Sequence, residues 1–237
     1  MMARFARVVA TGLPHHVTQR GNARRTIFES DTDRLVYLNL LQSNCELHAL
    51  SVLGFCLMSN HVHLIVVPER LDSMGFALRH AHGRYASYLN ARRGDSGHVW
   101  QGRYYSCPLD TRHLWAALRY TERNPVRAGI VASPDLYRWS SAALHCGRTQ
   151  GQSPLRVEVE LWRACWNTAS WREFVGQVET EREIIPLRTN THTGRPLGTS
   201  DFVKALERTL HRSLAPQRGG RPRKGEEGSA QVALPLG

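Results

Sequence analysis

The chain has 237 residues, 41% hydrophobic and 22% charged, with a formal net charge of +11. That composition describes a soluble globular protein with enough chain for one well-cored domain and an extension, or for two small domains. No apolar run approaches the roughly 20 residues that span a bilayer, and "MMARFARVVATGLPHH" is too short in its apolar part for a secretory signal, so a cytoplasmic protein with no membrane partner is expected.

Cys45, Cys56, Cys107, Cys146 and Cys165 are odd in number, widely spaced and form no CxxC pair, which argues against a disulfide framework or a cysteine zinc site. A pI of about 10.1 points to a polyanion, and in the cytoplasm that first means nucleic acid, hence nucleoid association. Of the 31 basic residues only Lys204 and Lys224 are lysine. Arginine suits bidentate phosphate contacts, but GC-rich coding explains the same bias, so the sign of the charge carries the argument.

In chain order, "HHVTQRG" (His15 to Gly21) reads as a strand. A helix follows, with Leu35, Leu38, Leu41 and Cys45 at helical spacing and Asp31 as its cap. "LSVLGFCLM" (Leu50 to Met58) is a buried strand, Ser59-Asn60 a turn, and "HVHLIVVP" a strand stopped by Pro68. A long helix over about 71–92 carries the stripe Met74, Leu78, Ala81, Tyr85, Tyr88 and Leu89. "HVWQGRYYSCPL" (His98 to Leu109) is a fourth strand, and "DTRHLWAALRYTERNP" a helix from Asp110 or Thr111 to Asn124, where Pro125 stops it.

The order βαββαβ is that of a ferredoxin-like, antiparallel α+β fold with two helices on one face, and the extra helix before Pro125 is free to lie elsewhere. Beyond Trp139 the texture changes. Trp162, Trp166, Trp171 and Phe174 fall in a helical segment, and "TSDFVKALERTLHRSL" is a capped helix in a stretch of excess positive charge. We therefore expect a domain over 1–146, a helical basic extension over 147–214 and a disordered basic tail over 215–237.

The pair in "MSNHVHLIVVPE" raises the functional question. Residues two apart on a strand share a face, so His61, His63, Ile65 and Val67 lie on one side and Val62, Leu64 and Val66 on the other. If helices cover the Val62 side, both imidazoles sit on an open face, where two can chelate one divalent ion. Hydrogen-bonded packing explains most His-x-His pairs equally well. A zinc hydrolase would want a further ligand and a base, and there is no HExxH.

A second pattern is "RYTERNPVRAGIV". Tyr120 and Asn124, four residues apart on a helix, lie about 40° apart around its axis. A phenol and an amide carbonyl would then face one site, ringed by Arg119, Arg123 and Arg127. The carbonyl is an acceptable ligand for Mg²⁺ or Mn²⁺. Alone, the pair reads equally as a core tyrosine and a helix cap. Among other tyrosines, Tyr85 and Tyr88 belong to the helix stripe, Tyr104 and Tyr105 point to opposite faces of a strand, and Tyr37 and Tyr137 have no polar constellation.

Taken together, "CLMSNHVHLIVVP" and, about sixty residues on, "YTERNPVRAGIV" resemble the HUH single-tyrosine transposases, above all the REP-associated tyrosine transposases and their insertion-sequence relatives. "HHVTQRGNARRTIF" and "GHVWQGRYYS" fit the same pattern, and the resemblance covers about residues 1–146. It implies that His61 and His63 are metal ligands, that Tyr120 is the nucleophile, and that Asn124 stands where the family's third ligand varies. The implied reaction is metal-dependent transesterification of single-stranded or hairpin DNA with Mg²⁺ or Mn²⁺. Tyr120 would attack a phosphodiester, expel a 3′-OH and leave a 5′-phosphotyrosine that a second 3′-OH later reverses. Family members are often dimers, so a homodimer is compatible with the resemblance.

For DNA contacts, "TQRGNARR" offers Arg20, Arg24 and Arg25 around a flexible Gly21, and "HVWQGR" offers Trp100, Gln101 and Arg103. Arg123 and Arg127 add charge beside the tyrosine. In the tail, "GGRPRK" presents Arg221 and Arg223 as a minor-groove hook. For each arginine the alternative is a solvated surface residue, and for Trp100 the core. The competing functional reading is a non-catalytic repeat-binding or regulatory protein on the same fold.

Overall fold

Four strands and two helices come from alternating and 3.6-period apolar patterns in the expected order. The computed structural model describes residues 7–148 and 153–214. Strand β1 (His15–Arg20), helix α1 (Asp31–Leu47), β2 (Leu50–Met58), β3 (His61–Pro68), α2 (Ser73–Arg93) and β4 (Tyr105–Pro108) form the βαββαβ unit. The sheet order is β2-β3-β1-β4, with every neighbour antiparallel. Register places Thr18 beside His63 and Arg20 beside His61.

Val17, Val62, Leu64 and Val66 point to one face, where α1 and α2 bury Tyr37, Leu38, Leu41, Met74, Leu78, Tyr85 and Leu89 against them. Each such side chain, fully buried, contributes about 1.5–3 kcal/mol of transfer free energy. The expected helix stripe holds at Leu38, Leu41 and Cys45, but Leu35 is exposed, and Tyr37 is buried instead, its hydroxyl bonded to His82 Nε2 at 2.9 Å. The cap shifts. Ser30, not Asp31, accepts from the Asp33 amide, while the Asp33 carboxylate answers the Ser30 amide.

The other face is not open. Helix α3 (Thr111–Glu122) lies across it, capped by Asp110, and the short helices α4 (Asn124–Arg127) and α5 (Ala142–His145) follow. From the extension come α6 (Glu160–Arg163), α7 (Thr168–Gly176), α8 (Glu181–Thr193) and α9 (Ser200–Leu210). A second core joins Leu53, Ile65 and Cys107 of the sheet to Leu114, Ala117 and Leu118 of α3 and to Trp162, Trp171, Val175 and Leu187. This core runs across residue 146, so the domain boundary expected there does not coincide with a break in packing.

A buried polar knot fastens these helices. The Glu122 carboxylate accepts from Ser141 Oγ (2.5 Å), His145 Nδ1 (2.6 Å) and the Trp171 indole (2.9 Å). Three donors offset the desolvation of a carboxylate with no exposed surface.

Two boundaries differ from expectation. The fourth strand holds only Tyr105–Pro108, because Trp100 turns inward and meets Gly21 in a single bridge. Helix α3 stops at Glu122, since Pro125 has no N–H for the Thr121 carbonyl, and α4 resumes one residue later.

Candidate active site

The unwound end of α3 stands over the His61–His63 end of the sheet. Tyr120 packs edge-on against His63 (ring centroids 5.6 Å apart) and His16 (5.9 Å). His61 and His63 are neighbours at 5.0 Å. Together with Asn124 they line a cavity of about 620 Å³. The structure thus brings the four residues of the two sequence patterns to one place.

Hydrogen bonds set the imidazoles. His61 Nδ1 lies 2.7 Å from Asn60 Oδ1, which can only accept, so the proton sits on Nδ1 and Nε2 keeps its lone pair. His63 Nδ1 is 2.9 Å from His16 Nε2, and His16 Nδ1 is 2.8 Å from Thr191 Oγ1. In the tautomer where each Nδ1 donates, the relay His63 to His16 to Thr191 leaves His63 Nε2 unprotonated. Neither His61 Nε2 nor His63 Nε2 has a partner among the described residues.

Burial, reinforced by Arg20 and Arg127, pushes His61 down to about 4, and burial with the neighbouring His16 pushes His63 well below its ordinary value. Both are therefore neutral near pH 7. Asn124 donates its Nδ2 to the carbonyls of Tyr120 (3.2 Å) and Thr121 (3.3 Å), which leaves Oδ1 uncommitted. Asn124 thus caps the helix and also lines the cavity. Two neutral imidazoles and an amide oxygen, the imidazoles oriented through their second nitrogens, fit a divalent ion. Among the described residues no three His, Cys, Asp or Glu side chains gather as a metal site, so any such set needs the amide.

Arg20, Arg24, Arg127 and Arg188 line the cavity, and no carboxylate does. Arg127 lies over the Tyr120 ring at 4.0 Å, donates to the Tyr120 carbonyl at 3.0 Å and pairs with Glu179 at 2.5 Å. Gln101 also lines the cavity, while Arg25 and Arg103 are exposed on flanking loops.

Three expectations change. Trp100 is a core residue whose indole donates to the His82 carbonyl at 2.9 Å, so its ring face is not offered to a base. Arg123 is buried as a strut, bonded to Glu179 (2.8 Å) and to the carbonyls of Val175 (2.7 Å) and Gly176 (2.9 Å). Gly21 is not a hinge. It is buried, its amide bonds to Asn60 O at 2.8 Å, and a Cβ there would sit 2.4 Å from Arg25 O. Arg221 and Arg223 lie outside the described residues.

Of the other tyrosines, Tyr37 and Tyr85 are core, and Tyr137 is bonded to Leu57 O at 2.7 Å, whereas Tyr105 reaches the cavity rim and stacks on His192 at 4.8 Å. Residues that sequence reasoning missed are His16, quoted only as strand, and Arg188, Thr191 and His192 of α8. The period-2 run His16, Thr18, Arg20 on β1 was a readable sign of a polar face.

Comparison with known proteins agrees with this geometry. Residues 10–124 match the family model described as transposase IS200 like. Through that segment the chain is similar to the IS200-like transposases. A solved structure of a REP-associated tyrosine transposase bound to a REP hairpin is similar at 17% identity and a TM-score of 0.53, covering 67% of this chain and 93% of the other. A putative transposase from Deinococcus radiodurans R1 aligns at 16% identity and a TM-score of 0.34, covering 54% and 92%. No curated protein matches the chain. The family match ends at Asn124, so α8, which lines the cavity, lies beyond it.

Proposed function

We propose that this protein is an IS200-like transposase that cleaves and rejoins single-stranded or hairpin DNA through a 5′-phosphotyrosine on Tyr120. The observation that carries the reading is a phenol beside two neutral, oriented imidazoles in a cavity with four arginines and no carboxylate. Such a lining attracts phosphodiesters and offers no carboxylate to activate water, which disfavours a zinc hydrolase of the kind that uses a carboxylate base.

Arg20, Arg24, Arg127 and Gln101 hold the strand, with Arg25 and Arg103 on its approaches. The Tyr120 oxygen bonds to phosphorus as the bond to O3′ breaks. The phenolic proton passes to water, and the departing 3′ oxygen takes one from water. The bond energy stays in the phosphotyrosine until a second 3′-OH reverses the step. His61, His63 and Asn124 would hold a divalent ion, Mg²⁺ or Mn²⁺, which supplies charge neutralisation at the non-bridging phosphate oxygens. His16 and Thr191 keep His63 in the ligating tautomer. One chain contributes every residue of this constellation, so a homodimer is not required to complete it.

The hairpin bound by the structural neighbour makes a palindromic repeat the substrate to try first. Incubated with such an oligonucleotide and Mn²⁺, the protein forms a denaturation-resistant adduct that Tyr120→Phe does not. An adduct at wild-type yield from Tyr120→Phe removes the nucleophile assignment. DNA binding with no adduct from either protein instead favours a non-catalytic repeat-binding role.

A further inference from the structure

Four arginines surround the tyrosine, and three are neutralised. Arg119 pairs with Glu183, and Arg123 and Arg127 share Glu179. Arg188 has no carboxylate partner among the described residues. Its Nε donates to the Tyr120 hydroxyl at 3.1 Å, and its Cζ lies 5.6 Å from the centre of the Tyr120 ring. Neither of its Nη groups is engaged by the described residues. A guanidinium presents its five N–H donors as a rigid fork, so a hydrogen bond through Nε leaves the terminal pair for another acceptor.

The placement is fixed from both ends of α8. Glu183 binds Arg119 near its start, and a box between Thr180 and Glu183 caps it. Leu187 enters the second core. Thr191 is bonded to His16 and lies 3.2 Å from Cys107 Sγ, and His192 stacks on Tyr105. Arg188, Thr191 and His192, at helical spacings of three and four, all line the cavity.

We propose that Arg188 is a catalytic residue of the strand-transfer site. Its Nε holds the Tyr120 oxygen in the attacking position, and its Nη pair grips non-bridging oxygens of the same phosphate before attack and in the phosphotyrosine. This rests on Tyr120 being the nucleophile. Attack forms the Tyr120 O–P bond and breaks P–O3′ as described above. Arg188 donates hydrogen bonds throughout and transfers no proton. During rejoining, the bond to the Tyr120 oxygen breaks, and Arg188 faces the negative charge that returns to it. The extension thus supplies a working part of the centre from outside the segment that matches the family.

The test uses the full chain as wild type, Arg188→Ala, Arg188→Lys, Tyr120→Phe and, as a charge control on exposed α8 surface, Arg182→Ala. DNA affinity is measured separately from the single-turnover rate of adduct formation at saturating oligonucleotide. Loss of one preorganised donor at a reacting oxygen costs about 10²–10³-fold in rate. That loss is expected in Arg188→Ala, with affinity falling far less. Arg188→Lys keeps the charge but not the fork and should be intermediate. Added guanidinium ion should restore part of the Arg188→Ala rate. Arg182→Ala should match wild type. A wild-type rate in Arg188→Ala or Arg188→Lys, or a loss found wholly in affinity, overturns the proposal. If Arg188→Ala unfolds, the Lys variant decides alone. Adduct from Tyr120→Phe overturns the underlying nucleophile reading, whereas no adduct there with full activity in Arg188→Ala removes only Arg188.

Discussion

Lowering the pH from 7.5 to 5 should destabilise this protein through buried histidines that are not among the candidate metal ligands. Burial pushes His15 down to about 4, and His16 and His82 each to about 3. Their bonds explain why charging them is costly. His15 Nε2 accepts the Ala10 amide at 3.2 Å while its Nδ1 donates to Leu13 O at 2.8 Å, and His82 Nε2 lies 2.9 Å from the Tyr37 hydroxyl. The folded values lie below the unfolded one, about 6.5. Between the two, the unfolded chain binds more protons, so stability is complete above pH 6.5 and falls as the pH drops towards the folded values. At pH 5 each histidine has lost about 1.5 pH units at ~1.36 kcal/mol per unit, or about 2 kcal/mol. Three together remove about 6 kcal/mol from a total that is typically 5–15 kcal/mol. Urea unfolding followed by tryptophan fluorescence at pH 7.5, 6 and 5, with chelator present, measures it. His82→Gln should reduce the drop by about 2 kcal/mol. A stability at pH 5 within about 1 kcal/mol of that at pH 7.5 would refute the reasoning, because no arrangement of buried neutral imidazoles is then compatible with linkage.

Arg123→Ala strips Glu179 of one of its two partners and leaves the Val175 and Gly176 carbonyls without theirs. Breaking a buried pair from one side costs about 3–5 kcal/mol, so urea unfolding should show a loss of that size, and a loss below about 1 kcal/mol would make Arg123 dispensable as a strut. His16→Ala removes the acceptor for His63 Nδ1 and should weaken Mn²⁺ binding by about 10–100-fold in calorimetric titration. Unchanged affinity would show that His63 needs no orientation from this relay.

The βαββαβ half of the molecule and its candidate site were legible because their signals are local. Alternation in "HVHLIVVP" sets which side chains share a face, and the four-residue step from Tyr120 to Asn124 sets their common side. What alternation could not say was whether the His61 face lies open, since that depends on where α3 and the extension pack. Trp100 shows a different limit. An aromatic among arginines suits an unpaired base, yet the indole found the His82 carbonyl inside the core. Helix α8 went unread for a local reason. Pro186 stands inside it, and proline in a helix interior usually ends the helix by removing an amide and clashing with the preceding turn. Here the Thr180–Glu183 cap, the Glu183–Arg119 pair, the burial of Leu187 and the bonds of Thr191 hold the segment helical across the proline. Arg188 reaches Tyr120 only through that tertiary placement, and no spacing rule links residue 188 to residue 120.

That placement also changes how the basic C-terminal region must be tested. A cut before Arg188, which the charge pattern alone invites, would sever α8 and remove the arginine bonded to Tyr120. It would also remove Thr191 from His16 and α9, whose Leu206 packs with Val8 and Ala10. Lost activity would then say nothing about DNA anchoring by the tail. The informative cut is after Leu214. It leaves every described element in place and deletes Arg218, Arg221, Arg223 and Lys224 along with Glu226 and Glu227, a net of two positive charges. If the tail grips the duplex stem of a repeat, each of its phosphate contacts contributes about 0.7–0.9 to the slope of log affinity against log salt. Four contacts would flatten the slope by about 3. Adduct formation at saturating DNA should persist, because the Tyr120 centre is untouched. Fluorescence anisotropy on a hairpin oligonucleotide at 50–200 mM salt reads both affinity and slope. Equal affinity and equal slope in the truncated protein would exclude the tail as an anchor and assign the salt dependence to the cavity arginines and the arginines of the flanking loops.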